Sequence, residues 1–148
     1  MRTMFRLYRF GLLAGLVASI FTGPGWADEK TPPTKTYGVV IGVGDFKDAQ
    51  IKPRPTAEAD AKAIYDVLTD KSVGGIPAED VQLILTGKDD KRPHKPATKE
   101  NILAAVKAAV GKATKDDRVV FVIVSSGVTV GDRVGVFATD STFKDRAK

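Results

Sequence analysis

Cysteine is missing from all 148 residues of the chain. Its absence removes disulfides, thiolate metal ligands and any thiol nucleophile, so a folded domain here must rest on noncovalent packing. Histidine is nearly missing as well: His94 is the single one, inside the charged stretch 87–96 (GKDDKRPHKP). A Ser-His-Asp arrangement on Ser125 or Ser126 would have to recruit that imidazole from a distant loop, and neither serine sits in a Gly-x-Ser-x-Gly elbow. A metal site would be left to carboxylates, and Asp89-Asp90 and Asp116-Asp117 lack calcium-loop spacing. No cofactor and no metal is expected.

An excess of one charge is lacking too, once the N-terminus is set aside. The formal +5 includes Arg2, Arg6 and Arg9, the only charged side chains before Asp28; without residues 1–27, 20 basic residues face 18 acidic ones. That balance does not call for nucleic acid. No apolar run approaches the roughly 20 residues needed to cross a bilayer. Residues 10–21 (FGLLAGLVASIF) form a 12-residue stretch behind an Arg-bearing start, followed by Gly23-Pro24-Gly25 and the small residue Ala27. This pattern reads as a secretory signal peptide over 1–27, cleaved after Ala27, with a secreted or periplasmic product. Left uncleaved, the segment would anchor the chain to a membrane; after cleavage no stable membrane insertion is expected.

What is present is an ordinary globular composition, 43% apolar and 28% charged, at a length suited to one domain. Residues 28–36 (DEKTPPTKT) read as a solvated linker. Residues 37–43 (YGVVIGV) read as a buried central strand. Its Gly42 and Gly44 do not complete a dinucleotide fingerprint, because position 47 is lysine and Pro53 and Pro55 delay the helix; a tight turn is expected. A first helix is predicted over about 56–70, with Thr56 as N-cap and Ala57, Ala61, Ile64 and Leu68 on its packed face.

Residues 81–85 (VQLIL) read as a second strand, near an edge on account of Gln82, and the loop 87–96 as solvated and mobile. A second helix follows Thr98, with Ile102, Val106, Ala109 and Val110 as its stripe and Gly111 as its C-terminal glycine. The run 119–124 (VVFVIV) reads as a third strand buried on both faces, delivering Ser125, Ser126 and Gly127 to its carboxyl end, where open parallel sheets collect their chemistry. Gly131-Asp132 then predicts a hairpin over 128–137, and 138–148 trails off. The fold class is α/β: a mainly parallel sheet in the order second-first-third, helices on both faces, and a hairpin extension.

Five segments in this order, YGVVIGVGDF (37–46), IKPRPTAEADA (51–61), ATKENI (97–102), DDRVVFVI (116–123) and GDRVGVFATDS (131–141), resemble the N-terminal half of a caspase-like domain of the metacaspase type. The resemblance implies a three-layer, flavodoxin-like fold of a cysteine endopeptidase superfamily over residues 37–148. It places the catalytic histidine after the third strand, in an S-G-H-G pattern, and the cysteine after a fourth. Aligned on Asp116-Asp117, that pattern falls on residues 124–127, so Ser126 stands at the histidine position. A serine hydroxyl titrates far too high to form a thiolate or protonate a leaving amine, and there is no thiol to activate.

Caspases proper also carry an arginine six residues before the aspartate that opens the first helix region, and Arg54 and Asp60 have that spacing. Arg54 and Gly127 are therefore the candidate substrate-contacting positions, with a protein or acidic peptide as the partner. The resemblance implies an exported pseudoenzyme or regulatory module without peptidase activity. Two other readings stay open: part of a longer peptidase continuing past Lys148, or a small α/β module that binds a peptide at the Gly44 and Gly127 end of the sheet. Oligomeric state is not readable from these residues.

Overall fold

The computed structural model describes residues 34–144. The leader assigned to 1–27 and all of the linker before Thr34 lie outside the described residues; the last linker residue, Thr36, already opens a strand. That strand, β1 (Thr36–Gly42), is the centre of the fold. It pairs in parallel with β2 (Val81–Leu85) on one side and with β4 (Arg118–Val124) on the other. A short strand β3 (His94–Pro96) extends the sheet beyond β2, giving the order β3-β2-β1-β4. The expected order of the three long strands therefore holds, and the sheet gains an edge strand within the stretch read as a mobile loop.

Two helices cover opposite faces. Helix α1 (Ala57–Thr69) packs Ala61 and Tyr65 against Val40, Leu83 and Leu85; helix α2 (Lys99–Lys112) packs Ala105 and Ala109 against Val39, Ile41 and Val43. Val39, Val40 and Ile41 have no accessible surface, as a β-branched run enclosed between two helical layers should. The close approach of α1 has a specific cause. A Cβ at Gly42 would lie 2.7 Å from the Ala61 Cβ and 2.8 Å from the Ala57 carbonyl, so glycine at the end of β1 admits the first turn of the helix.

Several expectations about these elements need correction. Strand β4 is not buried on both faces: Phe121 and Ile123 are 44% and 43% exposed. It has β1 on one side only, and α2 lies over β1 and β2 rather than over β4. An apolar run reports hydrophobicity, not how many neighbours the topology supplies. Strand β2 does lie near an edge, as Gln82 implied: only the three-residue β3 stands outside it, beside residues 83–85. Thr56 makes no side-chain cap, its backbone being already helical, whereas Thr98 does cap α2 by accepting from the Asn101 N–H at 3.3 Å. Gly111 lies within α2, which runs on to Lys112, and Val110 of the expected stripe is 56% exposed.

The expected hairpin forms from β5 (Gly127–Val130) and β6 (Arg133–Val136), with Gly131 at φ 61° in its turn. Beyond it no further apolar run follows, yet the described residues 138–144 are tied down by hydrogen bonds. Ala138 is buried, and Thr139 ties three loops together: its N–H donates to Ala97 O, its carbonyl accepts from Lys47 N–H, and its hydroxyl donates to Asp45 O. Asp140 accepts from Lys99 N–H, and Asp48 from Phe143 N–H. These bonds lash the residues after β6 across the carboxyl ends of the strands.

Candidate functional site

The carboxyl ends of β1, β2 and β4 meet at one end of the sheet, where the loops after each strand converge. From β4 come Ser125 and Ser126. The Ser125 hydroxyl donates to Phe137 O at 2.7 Å, and Phe137 N–H donates back to Ser126 O at 3.0 Å, so the turn into the hairpin is closed from both sides. The Ser126 hydroxyl donates to Lys52 O at 2.9 Å and thus reaches the loop that follows β1. Arg54 stands two residues further along that loop; its backbone N–H donates to Gly44 O at 2.9 Å and its side chain is exposed.

The structure therefore brings two predicted site residues, Ser126 and Arg54, to one loop. It gives Ser126 a structural partner rather than a catalytic one, since an alcohol donating to a main-chain carbonyl is neither a base nor an acid near neutral pH. Among the described residues no ion pair joins Arg54 to Asp60, which projects from the first turn of α1. Gly127 opens β5 opposite Val136, and a Cβ there would lie 3.2 Å from Gly135 O, so its place is set by hairpin packing.

His94 is held elsewhere. It opens β3, with Nδ1 3.0 Å from Arg92 O, and β3 is three strand spacings from β4, about 14 Å across the sheet. No Ser-His pairing can form at this end. Among the described residues there is also no group of three or more His, Asp or Glu side chains placed to hold a metal ion.

Sequence reasoning missed Glu58. Its carboxylate accepts from Gly87 N–H at 2.9 Å and lies 4.0 Å from Lys62, so the first turn of α1 is clamped to the loop after β2. A Cβ at Gly87 would come 3.0 Å from that carboxylate, and one at Gly44 within 3.4 Å. The glycines after β1 and β2 thus make room for an acid between them, which only contact across the sheet end reveals.

The same face of α1 continues the clamp. Lys62 pairs with Asp89 at 3.3 Å, and Arg92 bridges Asp89 at 3.0 Å and Asp66 at 2.5 Å. The Lys91 N–H, with Lys62 and Arg92, holds the Asp89 carboxyl down at about 2 against the desolvation that opposes it. The Arg92 guanidinium likewise lowers Asp66, and the two carboxylates raise Arg92 in turn. Glu58, Lys62 and Asp66 are spaced by one helical turn, so a single stripe of α1 meets the loop 87–92 throughout.

Beside this end, a groove of about 550 Å³ runs between α2 and the hairpin, with Ile102, Leu103, Val128, Val136 and Phe137 along it and Lys99 and Asp140 at its rim. Neither Ser126 nor Arg54 lines it. The sequence over residues 35–145 matches a family model described as the caspase domain. No curated protein matches the sequence.

Proposed function

The chain belongs to the caspase-domain family, and from that premise we propose that it is an exported caspase-like domain that binds or regulates without cleaving peptides. The carrying observation is the Ser126 hydroxyl, which occupies the position after β4 and donates to Lys52 O in a chain that contains no cysteine. Thiol-based acyl transfer needs a thiolate to attack the carbonyl and an acid to protonate the leaving amine. The 148-residue sequence has no cysteine, and its one imidazole, His94, stands on β3 away from Ser126, so restoring a thiol alone would not restore the proton transfer.

Arg54 is exposed at the site end, and a guanidinium suits a carboxylate, so the bound partner we favour is an acidic peptide segment. The experiment is incubation of the purified chain with a diverse peptide library and mass-spectrometric readout. No cleavage products are expected, from either the parent or Ser126→Ala. Products formed by the parent and lost in Ser126→Ala would overturn the proposal. Export is tested separately, by N-terminal sequencing of the protein recovered outside the producing cytoplasm; Asp28 is the expected first residue.

A further inference from the structure

The loop after β1 is drawn out between two buried anchors. Ile51 is buried, and so is Ala57, which opens α1; residues 52–56 (KPRPT) between them are all exposed. Lys52 and Arg54 each precede a proline. The pyrrolidine rings fix φ at Pro53 and Pro55, and their Cδ atoms push the residues before them toward extended backbone, so Lys52, Pro53, Arg54 and Pro55 form a strut with little conformational freedom left.

Three hydrogen bonds hold the strut at its two basic residues. The Ser126 hydroxyl donates to Lys52 O at 2.9 Å, Arg54 N–H donates to Gly44 O at 2.9 Å, and Arg54 O accepts from Ala57 N–H at 3.0 Å. Of these, the first alone is made by a side chain, and it joins residues 74 positions apart. The acids of the same loop are turned elsewhere: Asp45 accepts from Phe46 N–H, and Asp48 from Gln50 N–H and Phe143 N–H. Among the described residues no ion pair reaches Lys52 or Arg54. Two exposed cations are thus carried on a fixed backbone, with Cα atoms about 7 Å apart at most, and no carboxylate of the loop neutralises them.

We propose, on the acidic-peptide reading of this end, that Lys52 and Arg54 form a two-point site for a peptide segment carrying two carboxylates one residue apart, and that Ser126 is its positioning residue, locking the strut through Lys52 O. In an extended peptide, side chains i and i+2 point the same way and stand about 7 Å apart, the spacing of Lys52 and Arg54 along the strut; adjacent acids lie half as far apart and point to opposite sides. Each cation then meets one carboxylate, with the Arg54 guanidinium able to bind its own through two N–H groups. A strut fixed before the peptide arrives spares the ordering entropy that a free loop would lose on binding, which is the contribution assigned to the Ser126 hydroxyl.

Fluorescence anisotropy on the full chain tests this, with labelled hexapeptides that bear two aspartates one residue apart, two adjacent aspartates, or two asparagines. The spaced peptide is expected to bind roughly tenfold more tightly than the adjacent one, and the asparagine peptide more weakly than either. Lys52→Met and Arg54→Met should each weaken binding of the spaced peptide roughly tenfold and flatten its dependence on salt, because each removes a charge. Ser126→Ala should weaken it roughly fivefold with the salt dependence unchanged, and Ser126→Thr, which keeps a hydroxyl, should recover the parent's affinity. Amide exchange at Arg54 should quicken in Ser126→Ala and not in Lys52→Met, and variants are compared only where they keep the parent's circular dichroism. A parent that binds neither acidic peptide would remove the acidic-peptide reading and the two-point site with it. Spaced and adjacent acids bound alike, or binding weakened by Arg54→Met and not by Lys52→Met, would overturn the two-point site and leave that reading standing. An affinity or an Arg54 exchange rate indifferent to Ser126→Ala would overturn the positioning role.

Discussion

Ser126 ties the end of β4 to the loop that follows β1. Its hydroxyl spends its hydrogen on Lys52 O at 2.9 Å. Ser126→Ala should therefore cost about 1 kcal/mol of stability in urea titration, as the loss of one hydrogen bond does; an unchanged midpoint would show that the bond contributes nothing. Thr86 is the opposite case. Its Oγ1 is buried after β2 without a hydrogen-bond partner, so the isosteric Thr86→Val should raise stability by about 1 kcal/mol, measured the same way. Asp89 makes a third residue-scale test, through pH. Its folded carboxyl is depressed to about 2, and that of Asp66 is lowered as well, relative to an ordinary value near 3.9. Depressed carboxyls contribute stability that is complete above the unfolded value and lost as pH falls through the folded one. Arg92→Met should thus destabilise the chain at pH 6, and its deficit against the parent should shrink as pH is lowered from about 4 toward 2. A deficit constant over that window would remove the ion network from the account.

At the scale of elements, the fold depends on how closely α1 and α2 approach a sheet that they cover from opposite sides. Gly42→Ala would drive a Cβ to 2.7 Å from Ala61 and 2.8 Å from the Ala57 carbonyl, backbone that cannot simply rotate away. It is expected to destabilise by about 1–3 kcal/mol, as overpacking does, whereas Gly111→Ala, with nothing within 4 Å of the added atom, should be neutral or stabilising. Equal melting temperatures for the two variants would contradict the close-packing argument. The helix starts differ in a way that residue type does not reveal. Thr98 caps α2 because its backbone is extended, at ψ 155°, and its hydroxyl faces Asn101 N–H; Thr56 has ψ −14° and cannot. Both threonines carry the same signal, and the preceding loops decide between them.

At the scale of the whole molecule, residues 34–144 show a domain built around β1, with opposed helices and a strand-end platform tied down from three directions. The tie through Thr139 explains why a segment with almost no apolar content is fixed in place: its hydrogen bonds are made to Ala97, Lys47 and Asp45, residues from two other loops. The proposed absence of cleavage belongs to this scale too, because thiol-based hydrolysis needs a thiol and a proton-transferring group held in register, while the 148-residue sequence has no cysteine and its one histidine stands on β3, at the other side of the sheet from β4.

The three long strands, both helices and the hairpin were legible because each has a local cause: a β-branched run, an apolar stripe at helical spacing, or a Gly-Asp turn. That the 148-residue sequence holds no thiol is read directly from its composition. What only the tertiary structure decided is which neighbour each element receives. The runs of β1 and β4 are equally apolar, yet one is enclosed and the other half-exposed, because β1 has a strand on each side and β4 has one. Likewise the charged loop gained β3 and an ion network through α1, and Glu58 found its place between two glycines remote in sequence. Composition sets what a segment can bury, but only the arrangement of the other segments sets what there is to bury it against.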